Sequence, residues 1–188
     1  MDAPAARRAN LALYLRQMQA RNPSLLLVGE APSYRGARIT GVPFAGRTML
    51  LDGIPGVPLF GREKGYTLPE EDQGRTLNRE ATATILWNVI AALDPLPLLW
   101  NSYPFHPHLP GNPFSNRKPR MGELAIGKRF LQDMLAMFEI RQIVAIGNTA
   151  YDALCSLEIA CEKVRHPSQG GKRDFVAGLE RILGNTKR

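Results

Sequence analysis

Residues 24–47 read SLLLVGEAPSYRGARITGVPFAGR. The run Ser24 to Val28 is continuously apolar after its first residue and ends in Gly29, which predicts a short strand buried on both faces. Gly29 lets the backbone turn sharply or approach a ligand closely. Glu30 places a carboxylate just beyond the strand, and Pro32 stiffens the start of the next segment. A long, largely polar path then leads to an isolated Phe44. A plain connector does not need this combination, whereas a site at the end of a strand does.

Outward from this stretch, helical and extended patterns alternate. Leu11, Leu13, Leu15 and Met18 predict a helix over residues 5–21, ended by Pro23. Residues 52–73 are rich in Gly and Pro and predict an irregular excursion. Residues 76–93 have helical periodicity, with Thr76 or Asn78 as N-cap. A second strand is expected over 96–103, followed by a proline-rich, basic loop over 104–122 and a helix over 123–139. A third strand is expected over 142–147. Next come a helix over 148–158 capped by Asn148 or Thr149, a strand over 161–168 ending at His166–Pro167, and a helix over 173–184. This alternation predicts a parallel sheet with helices on both faces. Ligands of such sheets bind beyond the carboxyl ends of the strands.

The chain has 188 residues, 44% of them hydrophobic, which predicts a single domain over 1–188 with a substantial core. No apolar run reaches the roughly 18 to 20 residues of a membrane helix. At the N-terminus, Arg16, Gln17 and Gln19 interrupt the apolar stretch, so an amphipathic helix is expected there rather than a signal peptide. The expected location is therefore cytoplasmic, with no membrane partner. The two cysteines, Cys155 and Cys161, cannot make a four-thiolate metal site and are expected to behave as small apolar residues. Lys plus Arg is 24 against 17 for Asp plus Glu, a net charge of +7. That excess favours a polyanionic partner such as nucleic acid.

The strand ends carry polar and special-backbone residues. Glu30 is either a solvated turn residue or a carboxylate whose pKa burial raises. Phe44 either pins its loop to the core or offers a ring for a planar ligand. Asn101, directly after the second strand, either caps a turn or presents its paired donor and acceptor to a base edge. His106, His108 and His166 could in principle hold zinc, but Pro107 separates the first two and no acidic ligand is near them in sequence. In RHPSQGGKR (165–173), His166 precedes Pro167. Ser168, Gln169, Gly170, Lys172 and Arg173 supply backbone N–H groups and charge of the kind that contacts phosphates, or else form a solvated basic turn.

The set GEAPS (29–33), TGVPFAG (40–46), NSYP (101–104) and HPS (166–168), in that order, resembles the uracil-DNA glycosylase superfamily over about residues 24–179. The first two motifs look most like its family 4 and family 5 branches. The resemblance implies a three-layer α/β/α sandwich around a four-stranded parallel sheet of order 2-1-3-4. It implies a monomeric enzyme of base excision repair that needs no cofactor or metal. Such an enzyme flips uracil, or another deaminated base, out of single- or double-stranded DNA and hydrolyses the N-glycosidic bond, with free uracil as product. On this resemblance Gly29, Glu30 and Ala31 line the base pocket, Phe44 stacks on the base, and Asn101 reads its N3 and O4 edge. His166 hydrogen-bonds O2, so Glu30 and His166 are the expected catalytic residues. Ser168 and the loop after it pinch the DNA backbone.

Four departures accompany the resemblance. Several branches carry Asp or Asn as water activator where this chain has Ala31. Family 4 carries an iron–sulfur cluster on four cysteines, which two cysteines cannot supply. Ser33, followed by Tyr34, stands where one branch has a methyl-excluding Tyr. Gln169 stands where other members have a large apolar wedge. The reading set against the enzyme is a DNA- or damaged-base-binding protein of the same fold with little turnover.

Overall fold

The computed structural model describes residues 3–72 and 81–186. The strands are β1 (Leu25–Gly29), β2 (Leu98–Asn101), β3 (Gln142–Ile146) and β4 (Glu162–Val164). They form one parallel sheet of order β2-β1-β3-β4, in register Leu27↔Leu99, Leu27↔Val144 and Ala145↔Lys163. In the two central strands, Leu26, Leu27, Val28, Val144 and Ala145 are fully buried, as expected for strands covered on both faces.

The helices are α1 (Ala3–Gln19), α2 (Ala37–Thr40), α3 (Arg47–Asp52), α4 (Ala81–Ile90), α5 (Met121–Met137), α6 (Asn148–Ser156) and α7 (Lys172–Thr186). The chain moves from β1 to β2 in one direction and from β2 through β3 to β4 in the other. Right-handed crossovers therefore put α4 on one face and α5 and α6 on the opposite face. The long groove between α4 and α7 lies over Leu25 and Gln142, so α7 shares the α4 face. The result is the expected three-layer arrangement, with the sheet order read from the resemblance.

Several local expectations shift. The face of α1 that is fully buried is Ala6, Asn10, Tyr14 and Met18, an i, i+4 row. Leu11, Leu13 and Leu15 flank it and are only partly buried. The reason is polar: the backbone N–H of Leu99 donates to the buried Tyr14 hydroxyl at 2.9 Å, and the Asn10 amide is consumed by the loop below. The polar stretch after Glu30 contains two short helices, α2 and α3, that its Gly and Pro content did not announce. β4 stops at Val164 rather than reaching His166. Pro167, which has no N–H to donate to a ladder, lies beyond that end. The excursion over 52–72 contains short 3-10 turns at Arg62–Lys64 and Glu70–Asp72. Thr76 and Asn78, the expected N-caps of α4, lie outside the described residues. Cys155 is exposed on α6 rather than packed, while Cys161 is half-buried.

Candidate active site

Asn10 on α1 begins the construction of the site. Its Nδ2 donates to the carbonyls of Thr40 (2.9 Å) and Thr67 (2.7 Å), and its Oδ1 accepts the Thr67 N–H (3.2 Å). The fully buried Thr40 hydroxyl donates to the Ala45 carbonyl at 2.8 Å and accepts the Val42 N–H at 3.2 Å. These bonds close TGVPFAG into a tight loop with Phe44 at its turn. Phe44 is held at φ 53°, a left-handed conformation that a bulky residue adopts only when its surroundings impose it. The imposition is visible: Trp87 Nε1 on α4 donates to the Phe44 carbonyl at 2.9 Å. Phe44 thus both pins its loop to the core and presents its ring to a cleft.

That ring meets Gly29 and Asn101. A Cβ on Gly29 would fall 2.5 Å from Phe44 Cζ and 2.8 Å from Asn101 Oδ1, so only glycine fits where β1 ends. The neighbouring backbone is locked across the sheet. Ser102 N donates to the Gly29 carbonyl (2.8 Å), and Tyr103 N and Ser102 Oγ donate to the Glu30 carbonyl (3.1 and 2.7 Å). Asn101 is 4% exposed, and among the described residues nothing hydrogen-bonds its amide. The amide faces the cavity, where a ligand or water can complete its hydrogen bonds.

Glu30, Phe44, Asn101 and His166, separated by as much as 136 positions in the chain, line one cavity of about 390 Å³ with Gly29 and Ala31. That volume is in the range of small-molecule sites, roughly 300–1,000 Å³. Burial raises the pKa of Glu30, as expected of a carboxylate at a buried strand end, and a hydrogen bond from Thr149 and the charge of Lys118 oppose the shift. Thr149 therefore lies near enough to Glu30 to act on its charge, and it does not cap its own helix. The N-cap of α6 is Gly147 at φ 88°, without a side-chain capping bond. A Cβ there would stand 2.9 Å from His166 Cβ, so this glycine gives the histidine its room.

His166 has a defined tautomer. The Ser168 N–H donates to its Nδ1 at 3.1 Å, and the Ser168 hydroxyl lies 2.7 Å from the same atom. Nδ1 is thus an acceptor, and the neutral ring carries its proton on Nε2. Burial and then Arg165 lower the His166 pKa, which favours that neutral form. Gly171 N closes on the Ser168 carbonyl at 3.0 Å across Gln169 (φ 52°) and Gly170 (φ 76°), a turn with both central residues left-handed. Ser168, Gln169, Gly170, Lys172 and Arg173 are exposed. They stand beside the cavity rather than in it. Lys172 lines the head of the α4–α7 groove, and among the described residues Arg173 makes only a long 3.7 Å contact with Asp174.

Ser33, Thr82, Asn116, Arg117 and Lys118 also line the cavity. The last three come from the 104–122 loop, where the basic run NRKPR was the available signal. Nothing in the local pattern showed that this loop folds back over the first motif. Arg117 forms a two-pronged pair with Glu123 at 2.7 and 2.6 Å, and Arg120 N donates to the same carboxylate at 2.7 Å. These contacts hold the Glu123 pKa down at about 2. Lys118 pairs with no carboxylate among the described residues.

His106 and His108 have other employment. Their rings stack at 5.5 Å, His106 Nε2 bonds the Ser115 carbonyl (2.9 Å) and Asn116 Oδ1 (3.2 Å), and His108 Nδ1 faces the Leu109 carbonyl (2.9 Å). Among the described residues no group of His, Cys, Asp and Glu is arranged to hold a metal ion. No described helix is long and apolar enough to cross a membrane.

The sequence matches the family described as the uracil DNA glycosylase superfamily over residues 16–181. The fold is similar to the crystal structure of wild-type Pedobacter heparinus SMUG2, with a TM-score of 0.63 at 11% identity, covering 96% of this chain and 84% of that one. No curated protein matches the chain.

Proposed function

Since the chain belongs to the uracil DNA glycosylase superfamily, we propose that it removes uracil, or a related deaminated base, from DNA by hydrolysis of the N-glycosidic bond, as the first step of base excision repair. The observation that carries this reading is the shared cleft of Glu30, Phe44, Asn101 and His166. An extruded base enters it, its face against Phe44. The unpartnered Asn101 amide meets the donor–acceptor edge of the base.

In the reaction the C1′–N bond breaks, and its electron pair goes to the base, whose carbonyl oxygens share the charge. His166 Nε2–H donates toward that growing charge, and its value lies in being fixed beforehand by Ser168. Water adds to C1′, and its proton passes to a carboxylate. With alanine at position 31, the carboxylate in reach is Glu30, held by Thr149 and biased by Lys118.

Ala31 is also the specific observation behind the second reading, a damaged-base-binding protein with little turnover. Product analysis on uracil, hypoxanthine and xanthine oligonucleotides, with and without chelator, separates the two. Chelator-insensitive formation of abasic product supports the glycosylase. Tight binding without abasic product supports the binding protein.

A further inference from the structure

Resting on the glycosylase reading, we propose that Tyr34 and Phe114 form a stacking platform for the unpaired nucleotide next to the extruded one. The preferred substrate is then single-stranded or locally melted DNA.

Tyr34 follows Ser33, and Phe114 precedes Asn116 by two residues; Ser33 and Asn116 both line the cleft, so the two rings are carried by segments that wall it. They are locked together there. Tyr34 N donates to Asn116 Oδ1 at 3.0 Å, and the rings meet edge to face at 6.5 Å and 87°. A guanidinium covers each: Arg35 lies 5.0 Å from the Tyr34 centroid, and Arg38 lies 5.6 Å from that of Phe114. Even so, Phe114 is 48% exposed. Neither arginine is paired with a carboxylate among the described residues, so both charges are open to phosphates. Arg38 also lines a second cavity of about 390 Å³ behind Asn101, together with Arg8, Phe105 and His106.

The loop that carries Phe114 is braced before any ligand arrives. Leu109 and Asn112 bridge across its tip, Ser115 Oγ accepts the Leu109 N–H at 2.9 Å, and Arg117 Nε donates to the His108 carbonyl at 2.9 Å. A pre-ordered aromatic loses little entropy on stacking. Aromatic rings interleaved with guanidinium groups that no described carboxylate pairs, beside a base-sized cleft, are the chemistry of single-strand binding, where each base offers a face and each phosphate a charge.

The turn that follows His166 argues for the same substrate. The turn at Gln169–Gly170 presents a polar side chain and a glycine. Neither is the large apolar wedge that fills the gap an extruded base leaves in a duplex. A strand that is already unpaired leaves no such gap.

The test uses a short single-stranded oligonucleotide carrying a tetrahydrofuran abasic analogue flanked on both sides by 2-aminopurine. Wild-type protein is expected to quench the 2-aminopurine fluorescence on binding. Phe114→Ala is expected to bind about tenfold more weakly and to lose the quench, and Phe114→Tyr to restore both. The same oligonucleotide in a duplex is expected to bind more weakly and without quench. Equal binding and quench by wild type and Phe114→Ala, with wild type still releasing uracil from a uracil oligonucleotide, overturns the platform alone. An intact, Phe114-dependent quench without uracil release leaves the platform standing and overturns the glycosylase reading. A wild-type protein that binds neither DNA form overturns both.

Discussion

The Phe44 ring lies so close to Gly29 that no methyl group fits between them: a Cβ on Gly29 would sit 2.5 Å from Cζ of that ring. The end of the first strand and the turn of the next loop are thus fitted to each other, with Asn101 as the third wall.

Gly29→Ala is therefore expected to displace Phe44 or Asn101 rather than strain its own backbone. Overpacking of this kind costs about 1–3 kcal/mol of stability. Misplacement of the base by a fraction of an ångström to an ångström is expected to lower kcat/KM by about 100-fold. Thermal unfolding alongside cleavage kinetics checks both, and unchanged kinetics would remove this fit from the account.

Asn101→Ala removes an amide that no described residue bonds and that lines the cavity. Because that amide faces the cavity, the variant's stability is expected to stay close to wild type. Its kcat/KM for uracil is expected to fall by about 10- to 100-fold, with discrimination between bases reduced. Competition between uracil and hypoxanthine substrates reads the second effect.

Glu30 gives a pH signature. Burial raises its folded pKa above the ordinary carboxylate value of 4.5, against the pull of Thr149 and Lys118. If the ionised form takes the proton from water, the acid limb of the rate lies above the ordinary carboxylate range. Lys118→Ala, by removing a positive charge, moves that limb to higher pH. The stability sign runs the other way. A raised folded pKa favours the folded state below 4.5, and that contribution is lost as pH rises through the folded value. Glu30→Gln is thus expected to be more stable than wild type at neutral pH while losing roughly 100- to 10,000-fold in kcat. Denaturant titrations at acid and neutral pH, together with a pH–rate profile, test the pair of signs.

Lys172 and Arg173 are exposed cations beside the Ser168–Gly171 turn. Lys172→Ala and Arg173→Ala are expected to weaken DNA binding on every sequence. Each is expected to reduce the slope of log K against log salt by about 0.7–0.9. A slope that does not move would put the DNA path elsewhere.

The fold was legible because β1 is an apolar run ending in Gly29, the body of β3 is an apolar run followed by Gly147, and the later helices carry helical periodicity, which α1 does not. The candidate cleft was legible as four motifs, which put Gly29, Glu30, Asn101 and His166 at or just past strand ends and Phe44 on the loop after α2, all lining one cavity. Less legible were contacts made across the sequence. Thr149 has the local look of a cap, yet the cap is Gly147 and Thr149 instead bears on the charge of Glu30. Leu11, Leu13 and Leu15 outscore Tyr14 in hydrophobicity, yet Tyr14 is buried because the Leu99 N–H meets its oxygen. The return of the 104–122 loop over the cleft depends on bonds such as Tyr34 N to Asn116 Oδ1, between residues 82 positions apart. No local pattern encodes them.

The central claim is that a neutral imidazole, fixed by Ser168, assists departure of a base held in this cleft. Single-turnover release of free uracil from a uracil oligonucleotide, by wild type and by His166→Ala with DNA binding measured in parallel, tests it most directly. The account predicts release by wild type, with His166→Ala slower by a factor equivalent to about 2–4 kcal/mol and binding nearly unchanged. No release by wild type, or His166→Ala releasing uracil at the wild-type rate, would contradict it.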